Sequence, residues 1–153
     1  MEKRETNITV PFKVEINQDL SWGRLTRFAR ELRDNQRIMG AKCPNCGIVW
    51  CPPVADCIKC YVQNEWIAVG PRGNVQTYTT CYMPPAIEGK LIPIEIPYTI
   101  ALIKLDGADT GMLHYLREID PRNVKVGLRV EPVFKPTREG RITDIHYFRP
   151  IKN

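Results

Sequence analysis

Five of the six cysteines in this chain of 153 residues fall in one stretch, KCPNCGIVWCPPVADCIKC, residues 42–60. Four of them form two CxxC pairs, Cys43 with Cys46 and Cys57 with Cys60. Two intervening residues let both sulfurs of a pair reach one ion from a tight knuckle, and two knuckles make a four-thiolate site. Such a site is closed and leaves no coordination position for a substrate, so its work is to hold the chain together. The stretch is too short and too rich in turn residues to build a hydrophobic core. The spacing therefore predicts a ribbon braced by one structural zinc ion on Cys43, Cys46, Cys57 and Cys60. Gly47, directly after the first pair, suits the positive φ that lets backbone amides point at the thiolates. Iron in a rubredoxin-like site uses the same ligands, and the spacing does not separate the two metals. Cys51, between the pairs, breaks the two-knuckle symmetry, and it reads with Cys81 as a small buried hydrophobe.

The segments on either side have different periods. Before the cysteines, Leu25, Phe28, Ala29 and Leu32 recur at helical spacing, with Ser21 as a candidate N-cap and Gly40 as a candidate stop. One amphipathic helix cannot hide its stripe alone, so it must pack on the rest of the chain or on a partner. After Trp66 the pattern turns to strands. Val75, Thr77, Thr79 and Cys81 alternate with Gln76, Tyr78, Thr80 and Tyr82, and YTIALIKLD ends at an Asp106-Gly107 turn. MLHYLRE, LRVEPVF and RITDIHYF supply three more strands, the last two separated by a REG turn. Five strands with a long Pro-rich loop after the first, MPPAIEGKLIPIEIP, suit a small Greek-key barrel of the OB type. The expected fold is mostly β: lead-in and helix over 1–40, a rubredoxin-like zinc ribbon over 41–66, and a five-stranded OB-fold barrel over 67–153.

Charged residues make up 25% and hydrophobic ones 43%, with a formal net charge of +5. That balance is ordinary for a globular protein and disfavours long disorder. Neither half is a basic block of the kind that marks nucleic-acid binding by composition. No apolar run approaches the roughly 20 residues of a membrane helix. The start has no apolar signal region, so the expected location is the cytoplasm, where thiols stay reduced. A search for catalysis finds little. His114 and His146 both lie in strand patterns, Cys81 has no obvious base, and there is no phosphate-binding glycine loop. Alone, the polypeptide reads as a binding or scaffolding module.

The order of features is more specific than any one of them. CPNCGIVWCPPVADCIKC is followed by GNVQTYTTCYMPP, PYTIALIKLDG, DPRNVKVGLRVEPVF and HYFRP. Together they resemble the zinc-ribbon plus OB-fold family known as domain of unknown function 35, over most of residues 41–150. One departure is Ala55-Asp56 before Cys57, where members of the family usually carry an Arg and a Pro.

The resemblance implies an accessory subunit of a thiolase-superfamily enzyme acting on acyl-CoA thioesters. Members of this size include small subunits of thiolases in isoprenoid, steroid and anaerobic aromatic metabolism, the benzoylsuccinyl-CoA thiolase among them. The catalytic Cys and His are then expected on a larger partner in a hetero-oligomer, with coenzyme A thioester as ligand of the complex. Arg24, Arg27 and Arg72 are candidates to meet coenzyme A phosphates, since Arg binds phosphate bidentately. Met83, Pro84 and Pro85 of MPP, with Phe148 and Arg149 of FRP, are further candidates for that ligand or the partner. The competing expectation is a single-stranded nucleic-acid binder, because OB folds stack bases on aromatic side chains. Tyr78, Tyr82, Tyr98, Tyr115, Tyr147 and Phe148 supply rings, but the basic stripe such a binder needs is missing.

Overall fold

Helix α1 (Thr26–Asn35) is preceded by a 3-10 turn (Gly23–Leu25) and followed by β1 (Met39–Lys42), β2 (Val49–Trp50) and β3 (Glu65–Ala68). Then come β4 (Gly73–Cys81), β5 (Ala86–Ile87), β6 (Lys90–Leu91), β7 (Tyr98–Leu105), β8 (Gly111–Leu116), β9 (Arg129–Phe134) and β10 (Ile145–Pro150). This computed structural model describes residues 11–14, 21–87 and 90–151, so most of the lead-in lies outside the described residues.

The helix buries the expected stripe: Phe28, Ala29 and Leu32 are buried and Leu25 is half-buried. Its ends differ from expectation. The Ser21 hydroxyl accepts from the Gly23 amide at 3.1 Å, within the 3-10 turn that leads into the helix. The stop is Gln36, left-handed at φ 51°, whose amide closes on Glu31 O. Gly40 is not a stop at all. It lies in β1, where an added Cβ would sit 2.9 Å from Val69. The Val69 and Val49 side chains and the Trp50 carbonyl crowd that position, a contact invisible to a one-dimensional pattern, and they are what requires glycine there.

Strands β2-β1-β3 form one antiparallel sheet, and β10-β8-β7-β4-β9 close into a barrel. Every barrel pairing is antiparallel except β8 with β10, which are in register only at Leu116 and Phe148. A bulge between Val75 and Thr77 breaks the simple alternation expected of β4. One inserted residue flips the face of everything after it. Val75 pairs with Ile103, and Tyr78 and Thr80 then share the row of Ala101 and Thr99, in place of Thr77 and Thr79. The Thr80 and Thr99 hydroxyls lie 3.0 Å apart as a result. The sequence RITDIHYF also begins later as a strand than its pattern suggests, because Ile142–Asp144 forms a 3-10 turn.

One contiguous core joins the three parts. Phe28, Leu32, Ile38 and Met39 are continuous with Val49 and Cys51 of the ribbon and with Val75, Ile103, Val130 and Phe148 of the barrel. Each fully buried apolar side chain of this size contributes about 1.5–3 kcal/mol. The helix seats against the β9–β10 connection. Gly140, at φ 84°, would bring a Cβ to 3.2 Å from the Ala29 carbonyl oxygen, and the Arg138 guanidinium donates to Arg33 O at 2.8 Å. The buried Asp144 carboxylate holds that connection by accepting from the amides of Glu139, Gly140 and Arg141.

Candidate metal centre

The two knuckles superimpose in their bonding at an offset of fourteen residues. The Gly47 amide donates to Cys43 O at 3.0 Å, as Tyr61 does to Cys57 O at 2.8 Å. The Cys43 amide donates to Ile48 O at 2.9 Å, as Cys57 does to Val62 O at 2.8 Å. Both residues that follow a second cysteine are left-handed, Gly47 at φ 74° and Tyr61 at φ 54°. The sequence pattern singled out Gly47 and missed Tyr61, since a bulky aromatic rarely takes that conformation.

These turns bring Cys43, Cys46, Cys57 and Cys60 together, with all four Sγ atoms within 4.8 Å of one another. Cys46 Sγ and Cys57 Sγ are 3.7 Å apart. A tetrahedral ion with Zn–S bonds of roughly 2.3 Å places its sulfurs about 3.8 Å apart, so the donor set fits zinc in both chemistry and span. Cys43 and Cys57 are buried, while Cys60 is half-buried and Cys46 exposed. Burial alone would raise the Cys57 thiol, but hydrogen bonds to its sulfur from the Lys59 and Cys60 backbone and from Cys43 and Cys46 outweigh it, bringing it down to about 6. Cys60 is pushed up to about 12, first by its hydrogen bond with Cys46 and then by burial. Four thiolates this close repel one another until a cation sits between them, so loading a divalent ion releases protons.

Cys51 takes no part in this cluster. It is 1% exposed within the core, and burial pushes its thiol up to about 12. Its backbone does more than its side chain. The Cys51 amide donates to Thr110 Oγ1 at 2.7 Å, and that hydroxyl donates back to Cys51 O at 3.0 Å. Beside it, the Val49 amide donates to Asp109 Oδ2 and the Asp109 amide to Val49 O, both at 2.8 Å. The β7–β8 turn thus clamps ribbon strand β2 to the barrel. Asp109 and Thr110 were not legible as such, because D-G-A-D-T reads only as a turn. Cys81, expected to be buried, is half-buried at the end of β4 opposite Tyr98.

The other expected contact residues are scattered. Arg24 forms a bidentate pair with Asp56, Nη1 to Oδ1 at 2.9 Å, tying the helix approach to the second knuckle. Arg72 lies 4.0 Å from Glu131, and Arg149 bonds Glu131 at 3.2 Å and pairs with Glu118 at 3.6 Å. Arg27 and Met83 are exposed, and Pro84 and Pro85 are half-buried. Phe148 needs correcting: it is 0% exposed inside the barrel and has no surface to offer a ligand, a base or a partner. Nor does the fold assemble Cys81 with a histidine. Cys81 pairs with Tyr98 and His114 with Ala101, an odd number of positions away, so the two lie on opposite faces of the sheet.

Residues 30–65 match the family described as the ChsH2 rubredoxin-like zinc ribbon domain, and residues 66–135 the ChsH2 C-terminal OB-fold domain. A DUF35 domain-containing scaffold protein of Methanocaldococcus jannaschii is 33% identical over 137 residues, covering 84% of this chain and 92% of that protein. One from Pyrococcus furiosus is 31% identical over 132 residues, covering 83% and 93%. Among solved structures, the Ltp2-ChsH2(DUF35) aldolase shares the fold with a TM-score of 0.59 at 22% identity, covering 90% of this chain and 98% of that one. A DUF35 protein of unknown function from Sulfolobus solfataricus has a TM-score of 0.56 at 27% identity, covering 81% of each chain. The likeness over most of the chain, the four-cysteine ribbon and the closed five-stranded barrel agree: the chain belongs to the DUF35 family.

Proposed function

We propose that this chain is a non-catalytic accessory subunit of a thiolase-type acyl-CoA acyltransferase complex, needed for assembly and contributing to the coenzyme A site. The observation that carries it is the apolar surface on the β4–β7 loop, where Tyr82 is 69%, Met83 77%, Leu91 67% and Ile96 48% exposed. Apolar and aromatic side chains exposed together on a proline-fixed loop suit a lasting protein interface. Relatives named as scaffold proteins, and a chain of this fold in an aldolase with Ltp2, point the same way.

In this reading the ribbon holds one structural zinc ion and braces the helix against the barrel, dividing the chain near residues 40 and 66. Arg27 and the Met83–Pro85 segment face the partner or its coenzyme A. Arg24, Arg72 and Arg149 act mainly through the carboxylates they already hold. The catalytic Cys and His belong to the larger subunit. Among the described residues no helix is long and apolar enough to cross a membrane, and a four-cysteine zinc site beside two further reduced thiols suits the reducing cytoplasm. Against nucleic acid, Tyr98, Tyr115 and Tyr147 share a groove in which Glu95 and Glu118 offset Arg117, leaving no basic track for phosphates.

The test is to recover tagged protein from its native cells, identify what coelutes by mass spectrometry, and assay the eluate for zinc. Stoichiometric recovery of a thiolase-sized chain with one zinc per ribbon is expected. The protein recovered alone, or with nuclease-sensitive material, would overturn the proposal.

A further inference from the structure

A second groove, of about 520 Å³, opens where the barrel is least well closed. Strands β8 and β10 are in register only at Leu116 and Phe148, and from there toward Leu113 and Ile145 they part. Ile100, Leu113, Ile142 and the buried Ile145 supply its apolar lining, and Leu113 is 70% exposed although it lies mid-strand. An apolar side chain held out at an unzipped seam calls for something to cover it.

Apart from the hydroxyls of Tyr115 and Thr143, the polar side chains around this groove are basic. His114 reaches the seam from the inner row of β8, its ring edge-on to Phe148 at 5.5 Å. His146 is the extra residue of a β-bulge between Ile145 and Tyr147, which re-aims its side chain out of the regular ladder. Arg117 lies over the Tyr115 ring at 5.9 Å, and Lys135 closes the far side. Among the described residues neither Arg117 nor Lys135 has a carboxylate partner, and no Asp or Glu lines the groove. The nearest carboxylate in sequence, Asp144, is turned away and taken up by three backbone amides. Glu118 is engaged by Tyr147 at 2.7 Å and by Arg149. Burial lowers the His114 pKa and its Nδ1 accepts from the Tyr115 amide at 3.0 Å, so the ring is held neutral and packs at the seam as part of its wall.

We infer that this seam is a binding site for a small amphipathic anion, an apolar body ending in a carboxylate or phosphate. The volume falls in the range of small-molecule sites, which are mostly apolar with a few convergent polar groups. An apolar ligand body would cover Leu113, Ile100 and Ile142, and its anionic end would meet Arg117, Lys135 and His146. This assignment does not depend on the partner proposed above, and it is tested on the zinc-loaded chain alone.

Octanoate is the probe, with octanol and octylamine as controls of equal length. Calorimetry should rank octanoate above octanol and octylamine. Methyl NMR shifts should be confined to the lining residues Ile100, Leu113, Ile142, Thr143 and Ile145. Arg117→Gln and Lys135→Gln should each weaken octanoate about threefold and leave octanol unchanged, as expected for exposed charge pairs. Leu113→Asp, on an exposed side chain that the core does not use, should abolish octanoate binding while zinc content and circular dichroism stay unchanged. Octylamine binding as tightly as octanoate, methyl shifts elsewhere in the barrel, or no octanoate binding at millimolar concentration would each overturn the inference.

Discussion

Tyr61 and Gly47 occupy equivalent places in the two knuckles, yet only one of them is a residue at ease there. An added Cβ at Gly47 meets nothing within 4 Å, so a substitution there is strained only through its backbone. Gly47→Ala is therefore expected to destabilise the metal-loaded protein by about 1–2 kcal/mol. Tyr61→Gly relieves similar strain but adds unfolded-state freedom, so its net change should be within about 0.5 kcal/mol. Urea melts of both variants check this asymmetry, and equal losses would mean that the Tyr61 ring has a packing role. Cys51 carries a pH dependence. Its thiol ionises near 9 in an unfolded chain and at about 12 in the folded one. Below pH 9 both states hold the proton; above it only the native state does, so stability falls as pH rises. The loss from this group should reach about 1.4 kcal/mol by pH 10. Unfolding free energies at pH 8 and pH 10 should therefore differ less in Cys51→Ala than in the parent.

Between elements, the decisive link is the β7–β8 turn on ribbon strand β2. Thr110→Val keeps the shape of the side chain and removes both hydrogen bonds to Cys51, leaving its buried amide and carbonyl unpaired. A loss of about 1–3 kcal/mol is expected, with faster hydrogen exchange at the Val49 and Cys51 amides. Exchange unchanged at those two amides would mean that the clamp does not hold the ribbon. By contrast, Arg24–Asp56 is a well-formed pair with side chains 58% and 46% exposed. Arg24→Ala should cost less than about 1 kcal/mol, because water and salt screen such a pair.

For the molecule as a whole, the question is how far the metal's influence extends. The core is continuous from Phe28 through Cys51 to Phe148, but the barrel closes on its own hydrogen bonds. Chelation, or Cys43→Ser, should strip protection from β1, β2 and β3 and loosen the helix, while β4, β7 and β8 keep theirs. Hydrogen exchange read beside zinc content tests it. Uniform loss across the barrel would show a single cooperative unit, and no loss anywhere would show that the metal braces nothing.

Much of this was legible in the chain, for local reasons. Two CxxC pairs at a fixed spacing can do little else than meet around one ion. The apolar stripe from Leu25 to Leu32 and the strand run from Tyr98 to Leu105 carry their own periods. What the chain by itself left undecided involves partners distant in sequence. Gly40 reads as a helix stop until Val69 is seen beside it, and Phe148 reads as a surface aromatic until the barrel closes over it. The bulge after Val75 reverses which threonines face inward, through a pairing with β7 that no local pattern records. The seam groove has the same origin: His114, Arg117, Lys135 and His146 share no motif, and only the incomplete closure of β8 on β10 gathers them. Local periodicity determined the elements, and contacts between residues far apart in the chain decided which side chains they expose.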